Sequence, residues 1–63
     1  MTLVVSHPDY AAVTVTSERA ARGVARRWLG VGRVYETPTE TGWQLWPSRG
    51  ADDSAAPVTV TVV

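Results

Sequence analysis

The chain has 63 residues, no cysteine, one histidine, and six basic against six acidic residues, so its formal net charge is zero. A chain of this length forms one domain with one small core, and we treat residues 1–63 as a single domain. The composition excludes disulfides and thiolate metal sites, and one histidine is too few for a zinc site, so we expect no metal and no cofactor. The zero net charge argues against a strongly basic nucleic-acid-binding protein.

The rest of the composition bears on location and source. No apolar run is long enough to span a membrane and no signal-peptide pattern occurs, so we expect a cytoplasmic protein with no membrane contact. The chain lacks Lys, Ile, Asn and Phe, whose codons are AT-rich. This indicates a gene from a high-GC bacterium or a phage of one, in which case the protein acts in the host cytoplasm or the virion. Arginine then replaces lysine through codon bias, which weakens it as a functional signal.

Two strands are predicted before the helix. Residues 2–5 (TLVV) are a short β-prone run, and 12–16 (AVTVT) alternate so that Val13 and Val15 share one half-buried face. Residues 6–11 (SHPDYA) predict a loop between them.

That loop contains the residue types of a hydrolase triad. Ser6, His7 and Asp9 are nearly adjacent, however, and sequence neighbours rarely reach the mutual geometry that a triad needs. We therefore predict no catalytic residue here, and expect a turn with His7 exposed.

The segment 18–30 (ERAARGVARRWLG) predicts one amphipathic helix. Ser17 is a suitable N-cap and Gly30 a suitable left-handed C-cap, and Glu18 and Arg22 are spaced for an ion pair on the helix surface. The apolar side, which we expect to pack on the sheet, comprises Ala20, Ala21, Val24, Ala25, Trp28 and Leu29.

The opposite side of the helix is the first candidate binding surface, and it comprises Arg19, Arg22, Gly23, Arg26 and Arg27. A glycine inside a helix costs roughly 0.5–1 kcal/mol relative to alanine, so its presence among arginines needs a reason. Bare backbone ringed by guanidinium groups would admit a phosphate backbone or a protein partner. The simpler interpretation is a solvated helix face.

Three strands are predicted after the helix. Residues 32–37 and 42–47 form a hairpin around TPTETG, and 48–56 form a mobile polar loop. Residues 57–63 (PVTVTVV) are the clearest strand, with Val58, Val60 and Val62 facing inward. This strand could pair with an internal strand or with its own copy in a second chain, which would give self-association by β-augmentation.

The aromatic residues of the hairpin give the second candidate surface. Trp43 shares a face with Leu45 and is expected in the core, so Trp46 points outward unless it packs beneath the 48–56 loop. Tyr35 lies across from Trp46 or Trp43, depending on register. If Tyr35 and Trp46 share the outer side, they form an exposed aromatic patch.

The element order β-β-α-β-β-β predicts an α+β, two-layer domain, with one amphipathic helix on a mostly antiparallel sheet and a crossover from the 12–16 strand to the 32–37 strand. The favoured function is a small non-enzymatic binding or assembly protein, either an accessory protein of a phage or high-GC bacterium or a virion-associated protein, that acts through protein–protein contacts. The alternative is binding of a nucleic-acid backbone through the arginine side of the helix. The candidate binding residues are Arg19, Arg22, Gly23, Arg26, Arg27, Tyr35 and Trp46.

Overall fold

The computed structural model describes residues 1–47 and 56–63, and it confirms the α+β prediction: one helix packs on a five-stranded antiparallel sheet. The predicted mobile loop falls almost entirely on residues 48–55, outside the described residues. The elements are β1 (Leu3–His7), β2 (Tyr10–Val15), α1 (Glu18–Leu29), β3 (Tyr35–Pro38), β4 (Gly42–Trp46) and β5 (Val58–Val62).

The strand order is β2-β1-β5-β4-β3, with β5 in the centre. On one side β5 pairs with β1 from Leu3↔Val62 onward, and on the other it pairs with β4 through Gly42↔Thr61. Of the two pairings left open for residues 57–63, the internal one is confirmed, and β-augmentation through this strand is ruled out because both of its edges are already paired within the chain. The edge strands are β2 and β3, and the connection that contains α1 links them across the sheet.

The core lies between the helix and the centre of the sheet. Ala21 and Ala25 are fully buried, and their small side chains let the helix approach the strands closely. The sheet contributes five further fully buried side chains: Leu3, Val5, Leu45, Val58 and Val60. Val24, Trp28, Leu29 and Trp43 pack around this cluster.

Two residues predicted to face the core lie outside it. Ala20 is exposed, because the helix rests on the sheet along the Ala21–Ala25 line. Val62 is 48% exposed although it alternates correctly with Val58 and Val60, because the buried cluster stops at Val60.

Both predicted helix caps are confirmed. The Ser17 hydroxyl accepts a hydrogen bond from the Ala20 N–H at 3.2 Å, which satisfies one of the free donors of the first turn. Gly30 ends the helix in the left-handed region at φ 68°, and its N–H and that of Val31 both donate to the Arg26 carbonyl.

The predicted loop 6–11 is wrong, because β1 and β2 form a tight hairpin that turns at Pro8 and Asp9. Val5 pairs with Val13 and His7 with Tyr10, so β2 has one extra residue between these pairs. This β-bulge reverses the alternation and brings Tyr10 to the same side of the sheet as Val13. The β3 strand also begins at Tyr35, three residues later than predicted.

Gly42 marks the closest approach between two strands. A Cβ atom at this position would collide with the Val60 carbonyl oxygen and lie 3.3 Å from the Thr61 Cα. The obstacle is backbone of the central strand, which cannot swing aside as a side chain can. Glycine is therefore required sterically at the start of β4.

Candidate interaction surfaces

The arginine side of α1 is less free than the sequence indicates. Arg22 forms an ion pair with Glu36 of β3, and the two side chains remain 42% and 39% exposed. The predicted pairing of Arg22 with Glu18 is therefore replaced by a contact between the helix and an edge strand. Arg19, Arg26 and Arg27 are exposed.

A shallow cavity of about 370 Å³ runs along this side of the helix, and it is lined by Glu18, Arg19, Arg22 and Arg26. Gly23 does not line it, and a Cβ atom built on Gly23 would meet nothing within 4 Å. Glu18 in the cavity wall and Glu36 on Arg22 both repel anions. The cavity therefore has a mixed-charge surface, and fewer arginines are available to bind an anion than the sequence indicates.

Two N–H donors near this region have no hydrogen-bond partner among the described residues. They are Arg22 Nε and Trp43 Nε1, and both atoms are buried. Because neither atom reaches the surface, neither serves as a ready contact for a ligand.

The side of the sheet away from α1 is the larger surface, and we call it the outer face. Strand alternation assigns its side chains, which are the neighbours of the buried ones along each strand. None is charged and none is buried. They are Val4 and Ser6 of β1, Thr14 of β2, Tyr35 and Thr37 of β3, Gln44 and Trp46 of β4, and Thr59 and Thr61 of β5.

The described ionisable side chains other than tyrosine lie elsewhere. They are on the helix, in the turns and connections, or, like Glu36, on the helix side of the sheet. An antiparallel sheet with one solvated face ordinarily alternates apolar inside with polar and charged outside. In a chain with six basic and six acidic residues, a five-stranded face without a charge is therefore unusual.

Of the two registers left open by the sequence, the structure has the one in which Tyr35 and Trp46 share this face. Tyr35 and Trp46 are directly paired across β3 and β4, and both are partly exposed. The guanidinium of Arg33 lies 5.6 Å from the centre of the Tyr35 ring, within the range of a cation–π contact. Arg33 precedes β3 and gave no sequence signal, since its role depends on where the strand begins.

A second aromatic group lies at the β1–β2 turn, on the helix side. Tyr10 and Trp28 stack with centroids 5.0 Å apart and planes 1° from parallel, and the His7 ring lies 5.5 Å from Tyr10. The His7 side chain is only 8% exposed, so the prediction of an exposed histidine is wrong. Its Nδ1 accepts from the Asp9 N–H at 3.1 Å, which ties the ring to the turn.

This arrangement separates the residue types of a triad. Ser6 lies on the outer face, where its hydroxyl donates to the Thr59 carbonyl at 3.5 Å, whereas His7 points to the helix side. Within residues 1–47 and 56–63, no cluster of three His, Cys, Asp or Glu side chains is placed to hold a metal ion. No helix in the described part of the chain is both long enough and apolar enough to cross a membrane.

Comparison with known proteins gave no relative: no protein-family model, curated protein or solved structure matches this chain.

Proposed function

We propose that this chain is a small non-enzymatic binding and assembly protein whose working surface is the outer face. The observation that carries the proposal is the uncharged outer face with Tyr35 and Trp46 side by side. Tyrosine and tryptophan are enriched at protein interfaces, and charged residues are depleted at the interface cores. Tyr35 and Trp46 are the proposed anchor residues.

The biological setting is part of the same proposal. The composition, with no lysine, isoleucine, asparagine or phenylalanine, supports a phage of a high-GC bacterium, or such a bacterium itself, as the source. A 6.8 kDa protein, in whose described residues Ser6 and His7 lie on opposite sides of the sheet, suits an accessory or virion-associated role. In either role the protein would act by binding other proteins.

The test uses an affinity-tagged chain to recover a complex from an extract of its native source. Hydrogen exchange of the chain in this complex is then compared with that of the chain alone. We expect peptides of β4 and β5 to gain protection in the recovered complex, and Trp46→Ala to abolish recovery. Arg27→Ala is the matched control, because it truncates an exposed side chain on the helix and should leave recovery unchanged. Loss of recovery with Arg27→Ala but not with Trp46→Ala would refute the outer face as the binding surface.

The cavity beside Arg19 and Arg26 favours a second candidate function, which is contact with a nucleic-acid backbone. Because Arg22 is engaged by Glu36, three cations on this side of the helix have no ion-pair partner within residues 1–47 and 56–63: Arg19, Arg26 and Arg27. Duplex binding through three phosphates predicts a slope of about −2.7 in log affinity against log salt, at −0.9 per phosphate. No detectable binding to a duplex at low salt would remove this candidate.

A further inference from the structure

We infer that the partner of the outer face is a second copy of this chain, packed sheet against sheet. The inference rests on the proposed function, since it names the occupant of the same surface. It follows from three properties of the face: its charge, the chemistry of its polar groups, and its size.

The first property is the absence of charge. In a symmetric dimer each surface meets itself, so every ionised side chain near the two-fold axis would face its own copy and repel it. Among residues 1–47 and 56–63, the strands contribute no ionised side chain to the outer face, and the guanidinium of Arg33 lies over Tyr35 at the corner, away from the centre. Binding of a charged partner would instead require side chains of the opposite charge on this face.

The second property is that the polar groups of the face are self-complementary. The hydroxyls of Thr14, Thr37, Thr59 and Thr61 and the amide of Gln44 each both donate and accept hydrogen bonds, so two identical copies can satisfy one another. The threonine methyl groups and Val4 supply apolar contact between them. Packed sheets lie about 10 Å apart, a spacing that side chains of this size fill.

The third property is area. Five strands spaced about 4.8 Å apart, each about five residues long at about 3.3 Å per residue, span roughly 24 Å by 17 Å. The face then buries on the order of 400 Å² per copy, or about 800 Å² in the pair, which is below the roughly 1,000 Å² of a stable interface and in the range of weak, transient ones. We therefore expect a weak dimer, visible at high protein concentration and lost on dilution.

The aromatic pair sets the geometry of the dimer. Tyr35 and Trp46 lie at one corner of the face, near the ends of β3 and β4, whereas Thr59 lies on the central strand. We place the two-fold axis in the plane between the two sheets, beneath the centre of the face and along the diagonal that avoids the aromatic corner, so that each aromatic pair lies over the opposite corner of the partner sheet. Trp46 then anchors both ends of the interface, and residue 59 of one copy lies close to residue 59 of the other.

Single-stranded nucleic acid is the rival occupant, because aromatic residues on an open sheet can stack on bases. A nucleic-acid backbone would need several cations beside the stacked bases. Among the described residues, Arg33 is the one cation that lies against the Tyr35 ring. The observations therefore favour the second copy.

The experiment is analytical ultracentrifugation of the wild type, Thr59→Glu and Thr39→Glu from about 10 μM to 1 mM. For the wild type we expect the mean mass to rise from 6.8 kDa toward twice that value. Thr59→Glu brings two carboxylates together at the axis and should weaken association at least tenfold. Thr39→Glu adds the same charge in the exposed β3–β4 turn and should associate as the wild type does.

Three results would overturn the inference. The first is a wild type that remains a 6.8 kDa monomer at 1 mM. The second is a Thr59→Glu variant, shown to be folded by circular dichroism, that associates as well as the wild type, which would point to the edge strands instead. The third is quenching of tryptophan fluorescence by a thymidine 12-mer at low salt that is lost in Trp46→Ala. If the wild type is monomeric but the outer face is protected in the complex recovered from the extract, this inference fails and the proposed function stands.

Discussion

The same substitution, glycine to alanine, should have opposite effects at two positions of this chain. At Gly42 the new methyl group would collide with the Val60 carbonyl, which belongs to the central strand and is held on both sides. Overpacking against fixed structure costs typically 1–3 kcal/mol. At Gly23 the methyl group enters open space on the helix, and alanine gains roughly 0.5–1 kcal/mol in helix propensity.

These magnitudes are large for a domain of this size. At about 0.05–0.15 kcal/mol per residue, the whole chain is expected to be stable by about 3–9 kcal/mol. One kcal/mol moves the Tm of such a domain by about 4–8 °C. We therefore expect Gly42→Ala to lower the Tm by about 4–24 °C and Gly23→Ala to raise it by about 2–8 °C.

Thermal unfolding followed by far-ultraviolet circular dichroism measures both variants beside the wild type, at one low protein concentration so that association does not contribute. The two variants are matched in chemistry, so a difference of sign isolates the local surroundings. A Gly42→Ala protein as stable as the wild type would refute the steric reasoning at β4. A Gly23→Ala protein less stable than the wild type would show that the helix needs bare backbone at this position for a packing reason.

Three further predictions concern single contacts. Ser17→Ala removes the N-cap acceptor and should cost about 1 kcal/mol in urea unfolding, and Ser17→Asp should restore most of it; equal stability of all three proteins would contradict the cap. A double-mutant cycle on Arg22→Ala and Glu36→Ala should give a coupling below about 1 kcal/mol that shrinks in 1 M salt, because both side chains are about 40% exposed; a larger, salt-independent coupling would contradict this. Leu45→Ala should cost about 2–5 kcal/mol, since the side chain is fully buried, and a loss below 1 kcal/mol would show that the core there is loose.

The fold was largely predictable because its signals are local. Ser17 and Gly30 bracket the helix, and the alternation of Val58 and Val60 identifies β5 without reference to any other strand. The inward side of β4 also follows from its own pattern, which placed Trp43 and Leu45 toward the core and Trp46 outward, whereas the side taken by Tyr35 depended on the register of the hairpin. Each of these features depends on residues within a few positions of one another.

The features that the sequence did not predict depend on contacts between distant segments. The bulge in β2 adds one residue to a strand whose alternation otherwise looks regular. The sequence therefore gave no local signal that Tyr10 faces the helix and stacks on Trp28. The pairing of Arg22 with Glu36 depends on how the helix crosses the sheet. The strand order had no local signal either, because a neutral Val/Thr strand suits a central position and an edge equally well.

The candidate surfaces divide in the same way. The arginines of the helix were visible in the sequence, but which of them stay free depended on Glu36. Of the outer face, the sequence indicated only the aromatic residues. Its lack of charge becomes apparent only in the assembled five-stranded sheet.

The central position of β5 has a consequence for assembly of the fold. The β1–β2 and β3–β4 hairpins each form from neighbouring residues, yet neither contacts the other within the sheet until β5 enters between them. Pairing between segments distant in sequence is slow, and each hairpin exposes an unpaired strand edge until β5 pairs with it. Residues 1–47 on their own should therefore behave as two hairpins and a helix without a shared sheet. A synthetic peptide of residues 56–63 is then a candidate to complement that fragment by inserting as the missing strand.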